Sequence, residues 1–320
     1  MGGLTDIAGL RVGHMTDARA LTGCTVILCE QGAVGGVEVR GGATGTRELG
    51  PLDPLHVAPQ VHAIVLAGGS AFGLDAAGGV MRYLEERGRG LHLGHVCVPI
   101  VPAAIIFDLS LGDPRVRPTA EMGYAACEVA SDTPVEEGSV GAGTGATVGK
   151  ARGIQHAMKG GIGTASTALP DGVVVAALAV VNCWGDVLEN GRIIAGARDG
   201  SGGFADAAHL LRTGQIAREI SALNTTLAVV ATNARFGKVE LSKIAQLAHQ
   251  GFTRTIAPVH TMFDGDLVFA LSVGQVTTDL QRVGFAAADM VSRAVIRGVT
   301  QAEERGGVPS YTDMARAASP

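Results

Sequence analysis

The run Val173-Val174-Val175-Ala176-Ala177-Leu178-Ala179-Val180-Val181 carries no polar side chain at any position. A strand with one wet face alternates apolar and polar residues, so an unbroken β-branched run reads as a central strand covered on both faces. Leu227-Ala228-Val229-Val230-Ala231 has the same character. Such strands alternate with amphipathic helices, a pattern consistent with several α/β folds that does not select one of them. Leu74, Ala77, Met81 and Leu84 predict a helix over 71–87, and Leu280, Val283, Ala287, Val291 and Val295 predict a long one over 279–303. Shorter helices are expected over 121–129 and 241–250, with helical character over 204–221. Further strands are expected over 10–14, 25–29, 33–40 (before the turn Gly41-Gly42), 61–66 and 98–101, and a glycine-rich loop over 191–203.

Only 4% of the 320 residues are aromatic, while 47% are hydrophobic and 47 are glycine. The core must therefore be built from Ala, Val, Leu and Ile in close packing with many tight turns. No stretch rich in Pro, Ser or charge divides the chain, so one domain over 1–320 is expected. The net charge of −5, with scattered Lys and Arg, supplies no footprint for nucleic acid. The start, Met1-Gly2-Gly3-Leu4-Thr5-Asp6, lacks a basic region followed by an apolar core, and no apolar run reaches membrane-spanning length. A soluble, cytoplasmic protein without a membrane partner is the expectation. Cys24, Cys29, Cys97, Cys127 and Cys183 lack metal-type spacing and are odd in number, which points to buried free thiols in a reducing compartment.

Several short motifs could carry chemistry. Asn224-Thr225-Thr226 stands immediately before the strand at 227–231, so the strand begins near Thr225 with a hydroxyl at the rim of the sheet; a plain turn is the alternative. The triplet is also a glycosylation sequon, which has no meaning without secretion. Gly141-Ala142-Gly143-Thr144-Gly145-Ala146-Thr147-Val148-Gly149-Lys150 resembles a phosphate loop only superficially. Thr144 stands where the first glycine belongs, and Ala151 where a Mg²⁺-binding hydroxyl is needed. Asn182 ends the run at 173–181, as strand-terminal turns often do. Asp264-Gly265-Asp266 precedes another apolar run; its carboxylates sit at i and i+2 and can share one side of an extended backbone, or the Asp-Gly pair can make a hairpin. Gly68-Gly69-Ser70, between strand and helix, allows a close helix–sheet junction or, less specifically, an anion site. His14 stands alone and reads as structural.

The order of Val12-Gly13-His14, Gly69-Ser70-Ala71-Phe72-Gly73-Leu74, the Lys150 loop, Asn224-Thr225 and Asp264-Gly265-Asp266 resembles the L-aminopeptidase/D-amidase family, the β-aminopeptidases, and most closely its nylon-oligomer hydrolase branch. The resemblance covers most of the chain. It implies a four-layer αββα sandwich of the N-terminal-nucleophile type, related to the ornithine acetyltransferase fold. It also implies self-cleavage between Asn224 and Thr225 into 1–224 and 225–320, after which Thr225 is the nucleophile. Lys150 would then be an active-site cation, Asn182 an oxyanion donor, and Asp264 and Asp266 the groups that orient the Thr225 amine and hydroxyl. No metal or organic cofactor is implied; a small amide or peptide substrate and a homo-oligomer, a tetramer of cleaved pairs, are. One departure concerns the oxyanion site: where aminopeptidase members carry a Tyr, this chain has Ile105-Ile106-Phe107, which places ordinary aminopeptidase activity in doubt. An acyltransferase of the ornithine acetyltransferase type and a scaffold that never matures are the alternatives.

The chemistry explains why such a cut is useful. A threonine hydroxyl needs a base within reach, and a chain terminus at Thr225 would own an α-amine of ordinary pKa about 7.7–8.0. Nucleophile and base would share one residue.

Overall fold

The computed structural model describes residues 2–217 and 224–317. Its principal strands are β1 (Arg11–Asp17), β2 (Thr22–Val39), β3 (Val61–Ala67), β4 (Ala103–Ile105), β5 (Ile162–Ala168), β6 (Val174–Asn182), β7 (Thr225–Ala234) and β8 (Leu267–Val276). The principal helices are α1 (Ala76–Glu85), α2 (Ala120–Glu128), α3 (Lys238–Thr255) and α4 (Leu280–Thr300). Hydrogen bonding runs β5-β6-β7-β8-β2-β3-β4, ends at the short strand Thr46–Arg47, and adds β1 on β2. The strands expected at 25–29 and 33–40 are one strand, β2. Its first half pairs with β3 and its second with β8, with a register shift between Leu28 and Ala33.

Because β2 serves both halves, the path folds into two sheets that face each other. Between them lie Leu178, Val180, Leu227, Val229 and Phe269 from one sheet, against Ile27, Ile64, Leu66 and Ala104 from the other. The alternate residues of β6 and β7, among them Ala177, Ala179, Ala228 and Val230, turn outward onto Ile244 and Phe252 of α3 and Val291 and Val295 of α4. On the far side, Val26, Val65 and Ala103 meet Val80 and Leu84 of α1 and Ala126 of α2. Helix, sheet, sheet and helix therefore form the αββα sandwich, and the alternation of a strand between two apolar layers explains runs without polar positions.

The small side chains let these layers approach closely. A Cβ at Gly163 on β5 would stand 2.1 Å from the Ala294 carbonyl oxygen of α4, so no larger residue fits there without moving the helix. Asp279 caps α4, accepting from the Gln281 and Arg282 N–H groups at 2.7 and 3.3 Å, a contribution of about 1 kcal/mol.

Other expectations shift in detail. Residues 70–75 form a 3-10 turn before α1, and the strand read at 98–101 is replaced by Val96–Val98 and β4 on either side of Pro99 and Pro102. Part of the expected loop at 191–203 is a strand, Arg192–Ala195, paired with Asp186–Glu189. Only Ala207–Thr213 of the helical stretch at 204–221 is helix, and 218–221 lies outside the described residues. All five cysteines are free and four are buried. His14 bonds Thr25 Oγ1 at 2.9 Å, and burial pushes its pKa down to about 4, so it is a neutral structural residue. Among the described residues no helix is long and apolar enough to cross a membrane.

Candidate active site

Strand pairing assembles the site. Thr225 opens β7 and lies directly opposite Asn182, the last residue of antiparallel β6. β8 runs parallel to β7 from the pair Leu227 and Leu267 onward. That register places Asp264-Gly265-Asp266, just ahead of β8, beside Asn224-Thr225-Thr226, with a parallel bridge between Asn224 and Asp264. The Asp-Gly pair is thus not a hairpin turn.

The contacts converge on the Asn224–Thr225 peptide. Thr225 Oγ1 donates to the Asn224 carbonyl oxygen at 2.5 Å, and the Gly265 N–H donates to the same oxygen at 2.6 Å. Asp266 accepts from the Thr226 N–H at 2.6 Å through Oδ1. Asp264 accepts from the Trp184 N–H at 3.1 Å and the Thr261 hydroxyl at 2.6 Å. Lys150 Nζ donates to the carbonyl oxygen and to Oδ1 of Asn182, both at 3.0 Å. Asn182 Oδ1 also accepts from the Thr147 N–H at 3.0 Å, while its Nδ2 donates to the Phe107 carbonyl at 3.1 Å. The residues singled out in the sequence, Lys150, Asn182, Asn224, Thr225, Asp264 and Asp266, meet at this one place.

Burial governs the charges. Lys150 is 5% exposed and Asp264 1%. Burial raises the Asp264 carboxyl to about 6, with the nearby Asp266 charge acting in the same direction. Burial lowers Lys150 to about 8, against partial compensation from Asp264 and other neighbouring acids. A carboxyl and an amine brought toward neutrality can exchange protons with a reacting hydroxyl.

The lysine has a measurable consequence. Between about pH 8 and its ordinary 10.5, the unfolded chain holds a proton on Lys150 that the folded chain has lost, so this group makes stability rise with pH across that window. Relative to a Lys150→Met chain, the parent is expected to gain about 3 kcal/mol from pH 8 to 10.5. Denaturant titrations of both proteins in the uncut Thr225→Ala background, which carries no terminal amine at residue 225, read the difference at several pH values; a pH-independent gap would refute it.

A second buried pair lies behind the first and was not found from the sequence. Lys159 Nζ donates to the Thr144 and Ala146 carbonyls at 2.9 and 2.6 Å, and burial lowers its pKa to about 7. Asp108 accepts from the Gly69 N–H and the Thr22 hydroxyl, each at 2.7 Å, with its pKa raised by burial. The glycine junction at 68–69 thus holds an anion, the chain's own carboxylate. Signals existed: Asp108 interrupts the apolar run Ile105-Ile106-Phe107, and a charge in such a run is a buried one seeking partners. His260 and Thr261 stand in no local pattern, and Gly265 shows in the sequence only as the spacer between the two aspartates.

Asp108, Phe107, Leu111, Lys150, Ile154 and Asn224 line a narrow cleft beside the site, whose free volume of about 10 Å³ is near the room one water needs.

The family model described as peptidase family S58 matches residues 3–312. An uncharacterized aminopeptidase of Mycobacterium tuberculosis is 43% identical, over 98% of this chain and 98% of its own length. The 6-aminohexanoate-oligomer endohydrolase of Agromyces sp. is 33% identical, over 85% of this chain and 75% of its own. Among solved structures, the L-aminopeptidase D-Ala-esterase/amidase of Ochrobactrum anthropi, described as a variant of the Ntn hydrolase fold, superposes with a TM-score of 0.75 at 21% identity, covering 98% of this chain and 92% of its own. A Burkholderia sp. beta-aminopeptidase gives 0.71 at 21%, covering 99% and 94%. These two share the fold.

Proposed function

We propose, for a chain that belongs to peptidase family S58 and is an amide or peptide hydrolase, that Thr225 first cuts its own peptide bond and then serves as the nucleophile. The observation that carries this reading is the convergence of the Thr225 hydroxyl and the Gly265 N–H on one carbonyl, that of Asn224. For an acyl shift, Oγ1 attacks the Asn224 carbonyl carbon and loses its proton to a base. The charge that develops on the carbonyl oxygen is met by the Gly265 N–H, a donor already at 2.6 Å. The C–N bond then breaks, the nitrogen takes up a proton, and the chain is held as an ester on Oγ1. Water hydrolyses that ester and leaves 1–224 and 225–320 in place beside one another.

The freed α-amine of Thr225 is then a base on the same residue as the hydroxyl. Asp266, which takes the Thr226 N–H, and Asp264, whose pKa stands near neutrality, orient and relay protons around it. Lys150 supplies positive charge and fixes the Asn182 side chain. Asn182 Nδ2 still has one N–H beyond its bond to Phe107 and can add to the Gly265 donor when a substrate carbonyl takes the place of Asn224. The closed cleft fits this order of events, since about 10 Å³ admits no amide while Asn224 lines it. Withdrawal of Asn224 after the cut makes room.

The substrate in this reading is a small or aliphatic amide. Phe107, Leu111 and Ile154 give the cleft apolar walls, and the 6-aminohexanoate-oligomer relatives act on an amide of that kind by name. A cytoplasmic location and a homo-oligomer of cleaved pairs belong to the same reading. Four buried free thiols suit a reducing compartment, and outward-facing Leu55 and Val57, 96% and 88% exposed, are surface that a second copy would cover. The mass spectrum of purified protein tests the core claim. It should show pieces corresponding to 1–224 and 225–320, with Thr225 at the new amino terminus; a cut elsewhere would remove Thr225 from its role.

A further inference from the structure

We propose that His260 is a positioning residue for Asp266, fixing the carboxylate that in turn holds the backbone immediately after Thr225. The inference rests on the reading of Thr225 as nucleophile. Asp266 is fully buried and strapped at both oxygens. Oδ1 takes the Thr226 N–H at 2.6 Å, and Oδ2 takes the His260 N–H at 3.1 Å and His260 Nδ1 at 2.9 Å. A carboxylate held this way cannot turn without releasing Thr226, and with it the direction of the Thr225 hydroxyl.

His260 is itself tightly placed. Its φ of +57° lies in the left-handed region, which His tolerates better than most residues do. Its ring meets that of His249 edge-on at 4.8 Å and lies 6.2 Å from that of Phe252. His249 is held in turn by the Glu38 carbonyl oxygen at 3.0 Å. His260 Nε2 is buried without a hydrogen-bond partner among the described residues, so the bond to Asp266 is what places the proton on Nδ1. The other titratable groups around the pair are Asp264, Lys150 and Cys183 on the Asp266 side, and His249 with Arg40 beyond it on the other.

Two measurements test the assignment. In the Thr225→Ala chain, ¹⁵N spectra of His260 should show Nδ1 protonated; a ring protonated on Nε2 alone overturns the proposal. The rate of self-cleavage is then compared in His260→Asn and His260→Gly, both of which accept a left-handed backbone, although only asparagine keeps a side-chain donor near Nδ1. The asparagine variant should cleave within about threefold of the parent, and the glycine variant roughly tenfold to a hundredfold slower, as for loss of a hydrogen bond to a charged group. Parent-like cleavage in the glycine variant, or an asparagine variant as slow as glycine, overturns the role. A Thr225→Ala chain that still matures overturns the nucleophile instead, so the two failures are distinct.

Discussion

Thr225→Ala is expected to yield one polypeptide of 320 residues on denaturing electrophoresis, with no amide hydrolysis above background. The substitution removes Oγ1, the atom resting against the Asn224 carbonyl, and leaves the backbone pairing of β7 untouched. Loss of a covalent nucleophile typically lowers turnover by roughly 10⁴–10⁶-fold. Here it acts twice, because the uncut chain has neither the hydroxyl nor the terminal amine, and its cleft stays closed. Stability should change little. The methyl group lost is small, and among the described residues the hydroxyl bonds only to the adjacent carbonyl. A mature, active alanine variant would exclude the proposed mechanism, whereas an uncut Thr225→Ser chain would show only that serine is a poorer nucleophile in this setting.

Gly265→Ala should slow self-cleavage by roughly 10²–10³-fold, the range seen when one oxyanion donor is lost. A Cβ at this position would stand 2.7 Å from Thr225 Oγ1, 2.8 Å from the Ala43 carbonyl oxygen and 3.0 Å from Thr44 Cα. Backbone on one side and the nucleophile on the other leave no free direction for it. Either the hydroxyl is pushed off its carbonyl or the 265 peptide retreats from the Asn224 oxygen it now meets at 2.6 Å. Both results damage the same step. The overpacking itself costs about 1–3 kcal/mol, so the variant should fold with a lowered unfolding midpoint. The half-life of the uncut form, followed by intact mass, gives the answer; a folded Gly265→Ala chain that matures at the parent rate would free Gly265 from any part in the reaction.

The two predictions differ in how visible their residues are before folding. Thr225 stands at the entrance of an apolar strand, and Asn182 at the exit of another, so both can be picked out by position. Gly265 is one glycine among 47, visible in the sequence only as the spacer between Asp264 and Asp266, and its part is set by what lies 2.7 Å from it. His260 and Asp108 are similar: an isolated histidine and an isolated acid whose partners, Asp266 and the Gly69 N–H, come from the three-dimensional path of the chain.

What the amino-acid sequence settles by itself is that its central strands are covered on both faces. Apolar runs over 173–181 and 227–231 need cover on both faces, the helical spacing from Leu280 to Val295 supplies part of it, and the scarcity of aromatics forces close approach through small residues. These features have periods of a few residues, so they are written locally. The site is not. Bringing Asn182, Thr225 and Asp266 together depends on the registers of β6 with β7 and of β7 with β8, between segments far apart in the chain. No short-range pattern encodes register along runs such as 174–181 and 227–231, where every position is apolar, because a slipped pairing there would bury the same kinds of side chain. Tertiary packing chooses one register, and the burial that comes with it sets the proton affinities of Lys150 and Asp264.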